Sequence, residues 1–394
     1  MATPILLLNC GSSSIKYQVI DTDTEEVLAS GLMQRIGEES GTLDHKLPGE
    51  TIHVDRGFPN HDRALSYLVK VFEAHGPDLA QIKAVGHRTV HGGAKFGQTT
   101  MINDAMIEAL QELSPLAPLH NPPGIAGIEA ARKALPDIPH VAIFDTAFFS
   151  TLPPEAYTYA IPADIAAEHG IRKYGFHGTS HSYVSRKVAQ VLGRPYSELN
   201  QIVCHLGNGA SVSAVRGGVA VEASMGLTPL AGLVMGTRSG DVDPGLHAFL
   251  GRELGMSLDQ VDTLLNKKSG MLGLAGVTDF RDLNELISEG DQQARLALDV
   301  YCHRLLSYIG AFQAVLGRVD ALTFTAGVGE NDPLVRATVV RRLEELGFWL
   351  DSDANAVRSR EPRIISRAGS PVAVLVVPTN EELAMARETM AALS

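Results

Sequence analysis

The chain has 394 residues, 45 % of them hydrophobic and 20 % charged, the proportions of a water-soluble globular protein of two or three domains. Its formal net charge of −12 argues against nucleic acid and anionic membrane surfaces as partners, so an anionic ligand needs a local basic pocket. Cys10, Cys204 and Cys302 are scattered without a metal-type pair, no apolar run approaches the roughly 20 residues of a membrane helix, and the N-terminus lacks a basic leader, which together point to a reducing cytoplasm.

The first element is an apolar run over Ile5-Leu6-Leu7-Leu8, then a small polar turn, Asn9-Cys10-Gly11-Ser12-Ser13-Ser14, then an alternating segment to Val19. That pattern predicts strand, tight turn and strand. Residues 20–60 read as further short strands. The spacing of Leu65, Leu68, Val69 and Phe72 predicts a helix over 61–75. A buried strand over 83–90 runs into His91-Gly92-Gly93. Asn103 is placed to cap a helix reaching about Leu113. The prolines between Ser114 and Gly124 stop that helix. A second helix and a strand over 140–144 follow. Strands alternating with helices give the class α/β.

The Pro-rich stretch after Phe149 is the expected boundary, giving domains at 1–150 and 151–380, with a helix at 381–394 completing the first. In the second domain the opening pattern returns as Ile202-Val203-Cys204-His205-Leu206, Gly207-Asn208-Gly209 and an alternating run to Val215. Helices are expected at 181–192, 296–316 and 381–393, and strands at 321–325 and 371–377.

Glycine lets a backbone approach a ligand closely, and successive N–H groups in such turns form anion-binding nests. Three loops qualify: 9–14, 207–211, and Gly327-Val328-Gly329-Glu330-Asn331, the last at the carboxyl end of a strand, where ligands bind in α/β sheets. Either of the first two alone reads better as a plain turn, but their matching places in two halves favour phosphate binding, and the conjunction of all three points to a nucleoside triphosphate. Arg88 lies in Gly86-His87-Arg88-Thr89-Val90-His91-Gly92-Gly93, and Arg238 in Met235-Gly236-Thr237-Arg238-Ser239-Gly240-Asp241. Guanidinium forks in such open settings suit carboxylate or phosphate. His177 and His120 stand among Gly and Pro residues, which leaves them open between structural and functional roles. Asp145 follows an apolar strand. Glu381, after Asn380, reads first as an acidic residue favoured by the helix dipole.

Together these segments resemble the acetate kinase family. Asn9-Cys10-Gly11-Ser12-Ser13-Ser14-Ile15-Lys16 is similar to its N-terminal signature, and Ala223-Ser224-Met225-Gly226-Leu227-Thr228-Pro229-Leu230, running into Gly236-Thr237-Arg238-Ser239-Gly240-Asp241, to its second. Residues 87–93, 144–148, 173–181, 205–209, 327–331 and 379–382 also fit, in order, over nearly the whole chain. The resemblance implies two duplicated actin-like (ribonuclease H-like) domains with an interdomain ATP cleft. It implies a homodimer, ATP and ADP as nucleotides, Mg²⁺ or else Mn²⁺ as metal, and reversible phosphorylation of acetate to acetyl phosphate. Asn9 and Glu381 would hold the metal. Lys16, His205, Leu206, Gly207, Asn208, Gly209, Asp279, Phe280, Arg281, Gly327, Val328, Gly329, Glu330 and Asn331 would contact the nucleotide. Arg88 would bind the substrate carboxylate with His120 nearby, and Val90, Leu119, Phe176 and Pro229 would surround the methyl group. His177 and Arg238 would stabilise the transition state, with Asp145 as catalytic acid. The chain departs from the family pattern at Glu222-Ala223, where Asp-Thr is usual, and at Ala231, where Glu is common.

Chemistry modifies one of these roles. A carboxylic acid with a pKa of about 4 is ionised at neutral pH and needs no base. Orienting Arg88 or Arg238, or tuning the metal shell, therefore suits Asp145 better than proton transfer. Three alternatives stay open. A propionate or broad short-chain acyl kinase is one, because a methylene in an apolar pocket is worth only about 1–3 kcal/mol. A non-catalytic actin-like nucleotide switch is another, opposed by the joint presence of Asn9, Arg88, Asp145, His177, Arg238 and Glu381. A sugar kinase would need a base and a polar pocket.

Overall fold

The computed structural model describes residues 3–118 and 120–393. They form two units, Met1–Ser150 with Asn380–Ser394, and Thr151–Thr379.

In the first unit, β1 (Pro4–Cys10), β2 (Ser14–Asp21), β3 (Val27–Gln34), β4 (Thr42–Leu47), β5 (Glu50–Asp55), β6 (Ala84–Thr89), β7 (Thr100–Met101) and β8 (His140–Phe144) make one sheet. Its order is β5-β4-β3-β2-β1-β6-β8-β7. β1 is antiparallel to β2 and parallel to β6, which is parallel to β8. β8 is buried throughout and reads as one apolar run, as parallel strands covered on both faces do. The helix His61–His75 is capped by Asn60 and turns Ala64, Leu65, Leu68, Val71 and Phe72 inward. Asn103 caps Asp104–Glu112 by accepting the Met106 N–H. The prolines do not keep the chain out of helix as far as Gly124: the helix Asn121–Ala134 already carries Pro122 and Pro123 in its first turn. Those N–H groups have no helical acceptor, so proline loses nothing there. This helix lies tight on β1 because residue 127 is glycine; a Cβ there would come 2.4 Å from Cys10 Sγ.

The three parallel strands end at the same edge of the sheet. Asn9, near the end of β1, Arg88, near the end of β6, and Asp145, just beyond β8, are thereby collected. The last helix, Glu381–Ala391, packs on β1, β6 and β8 and adds its first turn to that edge.

In the second unit, β9 (Asn200–Leu206), β10 (Ala210–Arg216), β11 (Val219–Ala223), β12 (Ala321–Thr325), β13 (Arg363–Ile364) and β14 (Ala373–Val376) form a sheet of order β11-β10-β9-β12-β14-β13. The run β11-β10-β9-β12-β14 repeats β3-β2-β1-β6-β8: two antiparallel pairings on one side of a central strand, two parallel ones on the other. The fold is α/β with a duplicated core, and the opening hairpin and its echo occupy equivalent places in it. Two expectations need correction. Residues 327–331 are not an open loop but belong to a short helix, Ala326–Asn331. Its entry is held by Ala326 at φ 64°, whose N–H donates to Glu330 Oε1 at 2.8 Å. Its far end is held by Arg336, buried beneath it, which donates to the Gly329 and Glu330 carbonyls at 2.8 and 3.0 Å. Nor does the second loop reach Ser211, which lies in β10. Only 207–209 turn, closed by the Gly207 N–H on the Gly209 carbonyl at 3.0 Å. No helix among the described residues is long and apolar enough to cross a membrane.

A histidine pair lies buried beneath the first sheet edge. His140 Nε2–H donates to the Leu135 carbonyl at 3.1 Å, so its Nδ1 accepts from His87 Nε2–H at 2.9 Å. Both pKa values fall because burial disfavours the cation, that of His87 well below the usual imidazole range. A pKa depressed by folding means the unfolded chain takes protons that the native one refuses, so stability drops as pH falls. Thermal midpoints should therefore be flat at alkaline pH and decline below about 6.5. His87→Gln should flatten that decline when midpoints are measured from pH 8 to pH 5; an unchanged slope would acquit the pair.

Candidate functional site

The first unit gathers one charged cluster. Arg88 donates from Nε to Asp145 Oδ1 at 3.1 Å and from Nη2 to Oδ2 at 2.8 Å. This fork-on-fork geometry fixes the guanidinium plane. The Asp145 side chain is only 5 % exposed, that of Arg88 26 %. Glu381 Oε2 lies 3.7 Å from the same Nη2. Asn380, not Glu381, caps the last helix, accepting the Leu383 N–H. Glu381 is thus free to turn toward Arg88, although its first-turn position suggests a cap. Burial raises the Glu381 pKa, and the Arg88 charge opposes the rise. Lys16 reaches Glu382 at 2.5 Å. Burial pushes the Glu382 carboxyl up, but the Lys16 hydrogen bond and charge outweigh it and hold it below the usual range.

Beside Arg88 is a cavity of about 80 Å³, lined by Asn9, Cys10, Gly11, Arg88, Thr89, Val90, His120, Asn121, Pro123 and Gly124. Water takes about 30 Å³ of liquid volume per molecule, so the space suits a ligand of a few heavy atoms. Two of its lining residues carry buried polar atoms with no hydrogen-bond partner among the described residues, Thr89 Oγ1 and Asn121 Oδ1. Asn121 spends its Nδ2 on the His91 carbonyl at 3.1 Å. Buried polar atoms left open in this way signal a polar occupant. The sequence reading did not single out either residue, and only their orphaned state marks them. Leu119 lies outside the described residues.

The second unit builds another cluster around its hairpin turn. His177 sits at φ 59°, strained for a side chain with a Cβ, just before the helix Gly178–Leu192. Its ring stacks on His205 with centroids 4.3 Å apart. Its Nδ1 bonds Ser211 Oγ at 2.9 Å. Arg238 donates to the Pro229 carbonyl at 3.3 Å. No carboxylate pairs with Arg238 among the described residues, and burial lowers its pKa. Both side chains converge over Gly209, where a Cβ would meet His177 Nε2 at 3.3 Å and Arg238 Nη1 at 3.5 Å. Glycine leaves that space open, and any side chain at 209 would press on both.

Other candidate residues are committed elsewhere. Asp279 caps the helix Phe280–Ser288 and grips the Arg281 guanidinium, whose bonds hold its carboxyl at about 2. Phe280 is buried edge-on against Tyr301, and Leu206 is wholly buried, so neither side chain is open to a ligand. Glu330 accepts the Ala326 and Thr379 N–H groups, tying the ends of β12 and β14 together. Asn331 donates to the Gly327 carbonyl. Phe176 is 2 % exposed and belongs to the second unit with Pro229, whereas Val90 belongs to the first. Glu222, where the family pattern has Asp, makes a half-buried ion pair with Lys173 at 2.5 Å and accepts the Ala223 N–H. The departure therefore has a local partner of its own.

Residues 4–387 match the model of the acetokinase family. The chain is 54 % identical over 392 residues to a protein named acetate kinase from Leifsonia xyli subsp. xyli, covering 99 % of each. Among solved structures, it is similar to Porphyromonas gingivalis acetate kinase, with TM-score 0.96, 42 % identity and all of both chains covered. It is also similar to a propionate kinase from Francisella tularensis, with TM-score 0.92, 40 % identity and 99 % of each chain covered.

Proposed function

The chain belongs to the acetokinase family, and from that membership we propose that the two clusters just described carry out its reaction, the ATP-dependent phosphorylation of acetate. The observation that carries the reading is the Arg88–Asp145 fork beside a small cavity with two orphaned polar atoms. Arg88 spends two of its five donors on Asp145 and keeps the rest for a ligand carboxylate. Asp145 acts here as the brace of Arg88, which agrees with the substrate's needing no base. One acetate oxygen attacks the γ-phosphorus in line. The bond from that phosphorus to the bridging oxygen breaks, and ADP leaves with the electron pair. Bringing an anion to a polyanion is the chief obstacle. Arg238 would neutralise charge on the transferring group, and His177 would donate a hydrogen bond to it.

Family membership implies a divalent metal. Asn9 and Glu381 offer oxygen donors only, which suits a hard cation such as Mg²⁺. Among the described residues no group of three or more His, Cys, Asp or Glu side chains is set for a metal. Asn9 and Glu381 would therefore complete a shell made mainly by phosphate and water, and the cation would supply charge neutralisation. A homodimer and a cytoplasmic location complete the proposal; the three unpaired cysteines suit the latter.

A hydroxamate assay with ATP, Mg²⁺ and acetate, propionate or butyrate tests the reading. Acyl phosphate should form with acetate, and kcat/KM should fall by about tenfold or more per added methylene, within the 10–200-fold a methylene commands. A higher kcat/KM for propionate would move the assignment to the propionate alternative. No acyl phosphate with any of the three would end the reading.

A further inference from the structure

The family resemblance implies nucleotide contacts at 279–281 and 327–331, both in the second unit. Each segment is held internally. Asp279 caps the helix Phe280–Ser288 and grips Arg281. Glu330 and Arg336 brace the short helix Ala326–Asn331 at its two ends. Buried Phe280 and Leu283 seat the first helix on Gln292–Leu316, where Phe280 meets Tyr301 edge-on. Apolar contact has no direction, so it fixes how deep a helix sits but not how far it slides or rolls on its support. A hydrogen bond does have direction. One such bond leaves this helix: Asn284 Nδ2 donates to Asp332 Oδ2 at 2.8 Å. Among the described residues, the other side-chain hydrogen bonds of the helix, Arg281 to Asp279 and Ser288 to the Glu285 carbonyl, close on the helix and its own cap.

Asn284 lies one turn along from Phe280 on the same helix face. Asp332 directly follows Asn331 and is 5 % exposed. Its N–H donates to the Val328 carbonyl at 2.9 Å, which ends the helix Ala326–Asn331. Its Oδ1 accepts the Val335 N–H at 2.9 Å, which starts the helix Pro333–Val340. The acceptor is thus fixed by both helices that meet at it. A carboxylate accepts and an amide NH₂ donates, so the bond has one direction. We infer that Asn284 and Asp332 are a positioning pair that sets the spacing of the two nucleotide segments, tying 279–281 to 327–331. This rests on the proposed nucleotide role of those segments. With the link in place, the helix Phe280–Ser288 has one register on its support, and both segments are set before a nucleotide arrives. Without it the nucleotide must itself fix that register, and its affinity bears the ordering cost. Phosphoryl transfer is assigned to Arg88, His177 and Arg238, none of which takes part in this bond. The pair therefore acts on nucleotide binding and not on the chemical step.

The test uses the full-length protein and reads ADP Kd by titration calorimetry, the kinetic constants by the hydroxamate assay, and a melting curve. Asn284→Ala should raise ADP Kd and ATP KM together by about 3–10-fold, the scale of one hydrogen bond, with kcat and acetate KM level. Asn284→Asp sets two carboxylates face to face and should raise both constants further. The swap Asn284→Asp/Asp332→Asn should bring them back toward the parent values. In it the amide at position 332 donates to the carboxylate at 284, while its own oxygen still accepts the Val335 N–H, since Asn and Asp cap helices alike. A bond of merely structural worth would lower the melting midpoint and leave the nucleotide constants where they were. A parental ADP Kd in Asn284→Ala, or a swap no better than Asn284→Asp, would overturn the inference. Gly327→Val tests the reading beneath it. Among the described residues, a Cβ at 327 meets nothing beyond its own turn within 4 Å, so the added side chain enters only open space. An unchanged ADP Kd in that variant would instead overturn the placing of nucleotide on 327–331.

Discussion

Arg238→Ala is expected to lose about 10³–10⁵-fold in kcat while nucleotide and acetate KM change little, the scale set by arginines that neutralise a transferring phosphoryl group. At about 1.36 kcal/mol per tenfold, that is roughly 4–7 kcal/mol of transition-state stabilisation. The structural ground is that this cation has no acidic partner among the described residues. It is buried enough to lower its own pKa and is held only by the Pro229 carbonyl and the Met235 sulfur. A half-buried guanidinium with no acidic partner costs the fold some stability and suits an anionic ligand. Removing it should therefore leave the thermal midpoint level or raised, which separates lost chemistry from lost folding. Steady-state kinetics beside a melting curve decide the matter, and a near-normal kcat would remove Arg238 from the reaction.

Arg88→Ala should behave differently, because this arginine is paired. Charge-assisted hydrogen bonds are worth about 1.5–3 kcal/mol, so acetate KM should rise about 10–100-fold. The substitution also strands Asp145, whose side chain is 5 % exposed. Breaking a buried pair from one side costs about 3–5 kcal/mol, and the melting midpoint should fall. The double variant Arg88→Ala/Asp145→Ala should recover much of that stability but none of the acetate affinity. This non-additivity is expected of residues in contact. An unchanged KM in the single variant would take Arg88 out of the carboxylate site.

Several features of the protein were legible because they are governed by neighbours a few residues apart. The helix His61–His75 follows from apolar spacing, the start of Asp104–Glu112 from the Asn103 cap, and both hairpins from an apolar run before a small polar turn. The segment 326–331 misled because its glycines signal a turn. The capping of its carbonyls by Arg336, further along the chain, is invisible to local spacing. The prolines at 122 and 123 misled because proline breaks a helix interior but fits a first turn, and composition alone does not distinguish the two.

Local sequence therefore sufficed for the α/β class, the repeated hairpin and the chemistry-bearing residue types. It did not determine which of those residues meet. Parallel pairing of β1, β6 and β8 brings Asn9, Arg88 and Asp145 to one edge, and packing of the last helix on those strands delivers Glu381 and Glu382 to Arg88 and Lys16. The same holds in the second unit, where Ser211 meets His177 and His181 only because β10 pairs next to the helix that bears His181. Short-range periodicity and capping act within a few residues, whereas charge pairing and hydrogen-bond relays depend on distances set by strand order. The opening hairpin and its echo are alike in sequence because they occupy equivalent places in duplicated sheets. They differ in surroundings, an acid-braced arginine beside one and an unpaired arginine beside the other, because each sheet gathers different distant residues at its edge.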